Sequence, residues 1–324
     1  TTRHHRSGVD VHRIRFGAIT QTLANVLRAA DPARLWVLLD EWSAVPSDLQ
    51  PYLADMIRRC LLPVNGVTVK IAAIELRSNL MISIAVGDYI GMELGADISA
   101  DVNLDDFMVF DNDAGRAVEF FRTLMFNHYM SSRAVVHGAP TFRTGQEFTQ
   151  STFTQRTSLE EVVRAAEGVP RDAIHVLGIA AQKAGVNPIS VNHVRAAAKA
   201  WYQRDKEATV AANTKAAELL RWIVDEVIAH RRARAFLLES GARDRLIDAL
   251  FDSRVLHLLK RSISAHDNPG VRYDAYKIDY GCYVDLLTTT REPRGAFPAD
   301  DNQVGEQYVD VPPDDYRAIR RAIL

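Results

Sequence analysis

The sequence predicts an α/β fold: a parallel-sheet core near the N-terminus, a helical region after it, and a small β-hairpin near the C-terminus. Three observations predict it. Two apolar runs, 35–39 and 67–74, flank an amphipathic helical pattern, which is the order of a βαβ unit. Helical periodicity then dominates from 159 to 206. Aromatic and β-branched residues return between 254 and 287, around a turn cluster at 266–270.

Taken in order, Phe16, Ile19, Leu23, Val26, Leu27 and Ala30 recur at helical spacing and predict a helix over 16–30. It leads into the strand Leu35–Leu39, which ends in two adjacent acids, Asp40 and Glu41. After Pro46, Ser47-Asp48-Leu49-Gln50 has the Ser-x-x-Gln pattern of a capping box. The helix it opens places Leu49, Tyr52, Leu53, Met56, Ile57, Cys60 and Leu61 on one face and stops at Pro63. Val67–Ile74 reads as a fully buried strand, apolar apart from Thr68 and Lys70. The crossover of such a unit is right-handed, and ligands sit at the carboxyl ends of its strands. Asp40 and Glu41 stand at one of those ends. Glu75-Leu76-Arg77-Ser78 stands at the other.

The stretch 85–113 is acidic, with Asp97, Asp101, Asp105, Asp106, Asp111 and Asp113. Its spacing does not match an EF-hand loop, so it reads as solvated surface rather than a calcium site. A helix follows over 114–129, then a Ser/Thr/Gly-rich loop or linker over 131–158. Helices resume at 159–166, 171–183 and 189–206, and 206–215 reads as a hinge or a helical continuation. Helices at 217–238 and 242–251, then strands at 254–263 and 273–287, suggest a winged helix. The tail 288–313 is Pro-rich, and 314–324 forms a short helix. The expected organisation is therefore a sheet core over 1–130, a linker over 131–158, a helical segment over 159–206, a winged-helix-like domain over 207–290 and a tail over 291–324.

A chain of 324 residues has room for two or three domains. Its 47% hydrophobic and 25% charged content is ordinary for a globular protein, and its formal charge of -2 excludes a global field that draws it to nucleic acid or membrane. Cys60 and Cys282 lie far apart in apolar contexts and read as buried thiols in a reducing compartment, with a disulfide as the lesser alternative. No apolar run approaches the roughly 20 residues of a membrane span. No signal peptide is visible, and the expected compartment is the cytoplasm. The chain begins Thr-Thr-Arg, which is expected of a fragment whose N-terminal part lies upstream.

Charge at the edge of an apolar core must be solvated or matched. For Asp40 and Glu41 one match is a magnesium ion with its phosphates: the first carboxylate orders the metal's water shell, and the second polarises the attacking water. Arg34–Ser43 (RLWVLLDEWS) thus resembles the Walker B strand of P-loop ATPases. The strand 67–74 with Glu75-Leu76-Arg77-Ser78 resembles a sensor-1 strand, and Gly168-Val169-Pro170-Arg171-Asp172 resembles the start of a lid helix that carries the sensor-2 arginine. Tyr276–Leu287 resembles the winged-helix end of bacterial ATPases related to the origin-recognition initiators. Together these resemble the AAA+/STAND class. The resemblance implies a partial P-loop NTPase core, a helical lid and a winged helix. Its implied ligands are ATP and Mg²⁺. Asp40 would hold the metal through water, Glu41 would orient the attacking water, and Arg77, Ser78 and Arg171 would meet phosphate. The chain departs from the class in having no G-x-x-x-x-G-K-[ST] and no Gly-Lys dipeptide.

Each of these residues also has a plainer reading. Asp40 is a good turn former. Arg77 and Ser78 suit a polar loop, and Arg171 suits a pairing with Asp172 or Glu167 in spite of the helix dipole. Arg34, Arg58 and Arg59 suit solvated surface better than an intersubunit arginine finger. The basic residues Arg231, Arg232, Arg234, Arg243, Arg245, Arg254, Lys260, Arg261 and Arg272 suit phosphate contacts, with a wing near 268–272, but Asp244, Asp248, Asp252 and Asp267 dilute their field. His257, His266 and Cys282 have no recognisable zinc spacing. Two functions follow: an ATP-dependent switch, in a class that often assembles into homo-oligomers, whose winged helix binds DNA or a protein; or a non-catalytic winged-helix interaction or DNA-binding protein on a degenerate ATPase scaffold.

Overall fold

The computed structural model describes residues 2–287 apart from 7–8, 14, 31–33, 86, 100–101, 134, 136–137, 231–233, 241–243 and 265–269. The tail over 288–313, the helix over 314–324, and Arg231, Arg232 and Arg243 lie outside the described residues. The chain forms two compact units, 1–102 and 103–324, so the helix expected at the end of the sheet core belongs to the second unit.

In the first unit, β1 (Thr2–Arg6) and β2 (Val9–Arg13) pair antiparallel. Helix α1 (Phe16–Ala29) follows, then β3 (Leu35–Leu39), α2 (Gln50–Cys60) and β4 (Val67–Ile71). The expected βαβ unit is present: β3 and β4 are parallel, with Leu35 opposite Val67 and Leu39 opposite Ile71. A small core of Trp42, Ala54, Ile57 and Met92, joined by Leu39, Val69 and Ile71, lies on one side of this pair. The other side is open. Trp36 and Leu38 are 55% and 71% exposed, and no third strand pairs with β3 or β4 among the described residues. The expectation of a fully buried β4 is therefore corrected. It ends at Ile71, and its residues are at most partly buried, because a two-stranded sheet covered on one side cannot enclose them.

The capping box is also corrected. Helix α2 starts at Gln50 with Pro51 in its first turn, and no side chain caps it. Leu49 and Tyr52, expected on the buried face, are exposed, while Ala54, Ile57 and Cys60 are buried. Helix α1 lies along α2, with Thr20 Oγ1 3.1 Å from the Arg59 carbonyl oxygen and the Arg59 guanidinium over the Phe16 ring, yet it buries none of its residues fully. A hairpin of β5 (Met81–Ala85) and β6 (Asp88–Gly91) closes the unit. At Gly91 φ is +122°, and a Cβ would sit 2.0 Å from the Leu80 carbonyl oxygen, so only glycine fits.

The second unit opens with α3 (Asp105–Met108), α4 (Ala114–Arg133), α5 (Gly145–Thr152), α6 (Arg156–Ala166), α7 (Pro170–Ala184) and α8 (Val191–Trp201). The expected linker over 131–158 is corrected, since it contains α5 and the start of α6 and anchors itself to the core through three phenylalanines. Thr144 caps α5 by accepting from the Glu147 amide, while Glu147 accepts from the Arg143 amide. Phe142, Phe148 and Phe153 are buried with Phe121 and Met125 of α4. Ser and Thr made the segment look like loop, but its phenylalanines decide its placement. Buried alanines at 165, 166, 173, 180, 197 and 198 bring α6, α7 and α8 close together.

A π-helical stretch, Tyr202–Lys206, continues α8 into α9 (Glu207–Ala211), so 206–215 is mostly helical continuation. Then come α10 (Thr214–Ile223), a second π-helical stretch (Val224–His230), β7 (Ala235–Glu239), α11 (Arg245–Asp252), β8 (Leu256–Ser264), β9 (Arg272–Ile278) and α12 (Tyr280–Leu287). The three strands form an antiparallel sheet in the order β7-β9-β8. Two expectations change here. The helix expected over 217–238 ends early and gives way to β7, whose Ala235, Phe236 and Leu237 are buried. The strand expected over 273–287 splits at Asp279, whose carboxylate accepts from the Cys282 amide at 3.1 Å and so starts α12.

Candidate functional site

Strands β3 and β4 run parallel, so their carboxyl ends lie side by side, and each is followed by a short 3₁₀ turn: Trp42–Ala44 and Glu75–Arg77. Three contacts bind these ends together. The Trp42 amide donates to the Ala72 carbonyl at 3.3 Å. The Ser43 hydroxyl accepts from the Ile74 amide at 2.9 Å. Gln50 is buried at the start of α2, and its Nε2 donates to the carbonyls of Val45 (2.8 Å) and Arg77 (3.0 Å) while its Oε1 accepts from the Asn79 amide (2.6 Å). One side chain thus fixes the loop after β3 to the loop after β4. Asn79 Nδ2 adds a bond to the Ser47 carbonyl at 3.3 Å.

On this platform Asp40 and Glu41 are both exposed. Asp40 Oδ1 accepts from the Glu41 amide at 2.8 Å, so the aspartate also acts as a turn former. Glu41 has φ of +55°, a left-handed conformation uncommon for a residue with a Cβ. Arg77 is exposed. The Ser78 hydroxyl donates to the Ile74 carbonyl at 2.6 Å and closes its own turn. Four of the five residues singled out in the sequence, Asp40, Glu41, Arg77 and Ser78, thus lie on the two loops that Gln50 joins. Gln50, which organises them, was read only as a helix cap. Arg58 and Arg59 both pair with the buried Asp55 at 2.7 Å.

The fifth residue, Arg171, lies in the second unit, in the first turn of α7, and is exposed. Among the described residues it forms no ion pair with Asp172 or Glu167, and both acids are committed elsewhere. Asp172 is fully buried and takes Lys206 at 2.9 Å and Arg254 at 2.5 Å. Lys206, itself buried, also meets Asp279 at 2.5 Å, and His257 lies 3.4 Å from the same Asp279 oxygen. Arg254 reaches on to Asp205. Glu167 takes Lys277 at 2.5 Å and also Arg234, and Lys277 reaches on to Asp111.

These pairings explain the charge states. Burial alone pushes the Asp279 carboxyl up, but Lys206 and His257 outweigh it and hold the group well below the usual range. Asp111 likewise ends at about 2, as Lys277 and Arg234 overcome its burial. Burial pulls Lys206 down, while Asp279 and Asp172 more than restore it. Burial pushes the Cys282 thiol up to about 12, and Cys60 upward too, so both are inert free thiols, as the sequence implies. Sequence reasoning missed the pairs Lys206–Asp279 and Lys277–Glu167, since residues 73 and 110 positions apart carry no joint signal.

The basic residues expected to face phosphates divide in two. Arg234 and Arg254 are taken up by internal acids. Lys260, Arg261 and Arg272 are exposed on the β8–β9 hairpin, where Arg272 donates to the Ser262 carbonyl. Helix α11 carries Asp244 at its cap and Asp248 and Asp252 along its length. Among the described residues no three His, Cys, Asp or Glu side chains gather as a metal site. Nor, among these residues, is any helix long and apolar enough to cross a membrane. No known protein family, curated protein or solved structure matches the chain.

Proposed function

We propose that the chain is part of a nucleotide-dependent switch of the AAA+/STAND type, with Asp40 and Glu41 at its nucleotide site. The carrying observation is the stapled pair of loops at the carboxyl ends of β3 and β4, which holds two adjacent exposed carboxylates beside Arg77 and Ser78. The donor set fits the metal: magnesium keeps several waters and takes one or two carboxylates rather than a protein cage. Bound ATP and Mg²⁺ would supply the phosphoryl chemistry. Asp40 would hold the ion through water, Glu41 would accept a hydrogen bond from a water and orient it, and Arg77 would offer a guanidinium to phosphate oxygens. Arg171 is the proposed phosphate contact of the second unit. These residues contain no phosphate-binding loop, so the proposed site takes its phosphate cradle from another segment.

The order helix, strand, helix, hairpin, with the first strand pairing the second hairpin strand, supports a winged-helix-like reading of 214–278, with one helix where that fold commonly has two. The acids of α11 disfavour that helix as a groove reader, which leaves the hairpin cations as the nucleic-acid contact. This charge arrangement favours a second reading, a non-catalytic interaction protein whose C-terminal sheet meets a protein partner.

Calorimetry with Mg²⁺ and ATP tests the first reading, using this chain and one extended upstream. Binding that Asp40→Ala abolishes supports the switch. Absence of binding by both chains overturns it in favour of the interaction protein.

A further inference from the structure

Residues 167–172 form an elbow between α6 and α7 with an unusual arrangement of charge. Two buried acids, Glu167 and Asp172, stand at its ends, and the exposed Arg171 lies next to the second. The backbone is tight throughout. Glu167 has φ of +51°, and Gly168 has φ of +78°, where a Cβ would sit 2.8 Å from Val109 Cγ2. Pro170 fixes the first turn of α7.

Both acids are gripped by cations from the C-terminal sheet and its flanks. Lys277 of β9 and Arg234, just before β7, take Glu167. Arg254, just before β8, takes Asp172 together with Lys206 of the π-helical stretch. Arg254 itself adopts φ of +58° as the left-handed residue that ends α11, where the Val255 amide donates to the Leu250 carbonyl at 3.0 Å. Asp111 and Asp205 complete the two clusters from the helical side. A buried ion pair fixes one register between the elements it joins, because any other register leaves a charge unmatched.

We propose that the elbow is a coupling joint: by gripping Glu167 and Asp172, the C-terminal sheet sets the position of Arg171. A small shift of the sheet carries both acids with it, and the first turn of α7 follows. Coupling of this kind is reciprocal, so a ligand that prefers one placement of Arg171 also biases the sheet. That such a ligand carries phosphate rests on the function proposed above; the joint does not.

The test is a nitroxide attached at Arg171→Cys. Cys60 and Cys282 are buried thiols with raised pKa, so labelling is confined to the new cysteine. Electron paramagnetic resonance then reads the label's motion in the chain as it stands, in Arg254→Gln and Lys277→Met, and in Lys260→Gln on the exposed hairpin as control. The expected result is loss of the immobilised component in the first two variants and an unchanged spectrum in the third. Arg254 is 29% exposed at its side chain, so its substitution carries the test if Lys277→Met fails to fold. An immobile label in a natively folded Arg254→Gln overturns the joint. Calorimetry keeps the two claims apart: absence of ATP binding removes the phosphate reading and leaves the label result standing.

Discussion

The two units hold themselves together in opposite ways. The first covers one side of a two-stranded parallel sheet, leaves Trp36 and Leu38 exposed on the other, and binds its loops with the amide of Gln50. The second packs alanines and aromatic rings into a continuous core and then buries whole ion clusters beside it. The difference bears on how a charged motif is to be interpreted. Asp40 and Glu41 sit where water reaches them, so their charge needs no protein partner and is open to a ligand. Asp172, in a motif equally suggestive on paper, sits where water does not reach, and burial converts it into a structural contact.

The contrast breaks most directly at Lys206. Lys206→Met leaves Asp172 and Asp279 buried without their ammonium and is expected to cost about 3–5 kcal/mol. Urea unfolding of the second unit reads it, and a loss under about 1 kcal/mol would mean the cluster is solvated after all.

Acid is the next lever. Asp279 and Asp111 have folded-state pKa values below their unfolded ones, so the unfolded chain binds more protons in acid. The stability they contribute is full above the ordinary carboxylate range near about 4 and drains as pH falls toward about 2. Among its described residues the first unit has one clearly lowered carboxylate, Asp55, where Arg58 and Arg59 outweigh burial, so melting against pH should show the smaller acid loss there.

Gln50→Ala strips one donor group and one acceptor from the platform and is expected to cost about 1–3 kcal/mol. Faster amide exchange at Asn79 would locate the loss. Glu41→Asn should act in the other direction. Asparagine tolerates a left-handed backbone, and a gain of about 1 kcal/mol is expected, with the carboxylate lost. No gain in denaturation would mean that Glu41 carries no strain. Leu38→Lys, on the open side of the sheet, should change stability by no more than about 0.5 kcal/mol. A cost well above that would show this face to be covered in solution.

The βαβ unit was legible because its signals are local: apolar runs, a helical period and the acids at a strand end all lie within 40 residues. The strand β3 has the same bounds in sequence and structure. What failed depended on distant partners. The Ser47-x-x-Gln50 pattern satisfied the rule for a cap, yet Gln50 was claimed by carbonyls on two loops, one of them 27 residues away. The segment 131–158 looked like a linker by composition, and only contact with α4 shows where Phe148 belongs. Arg171 stands in a local motif, but the buried acids of that motif answer to Arg234 and Arg254, more than 60 positions later.

The π-helical turn at Tyr202–Lys206 has its own consequence. Val194, Ala198 and Trp201 mark the inward line of α8, and the wider turn re-aims that line so that Tyr202, Lys206 and Val210 fall inward after it. In an ordinary helix each residue is rotated by roughly 100° from the last. Wound as an ordinary helix with no residue removed, the same stretch would turn Lys206 through roughly 500° from Trp201 and carry its ammonium away from Asp172 and Asp279. The cluster is thus a matter of phase as well as of composition: every charged residue could be kept, in the same order, and the site would still be lost.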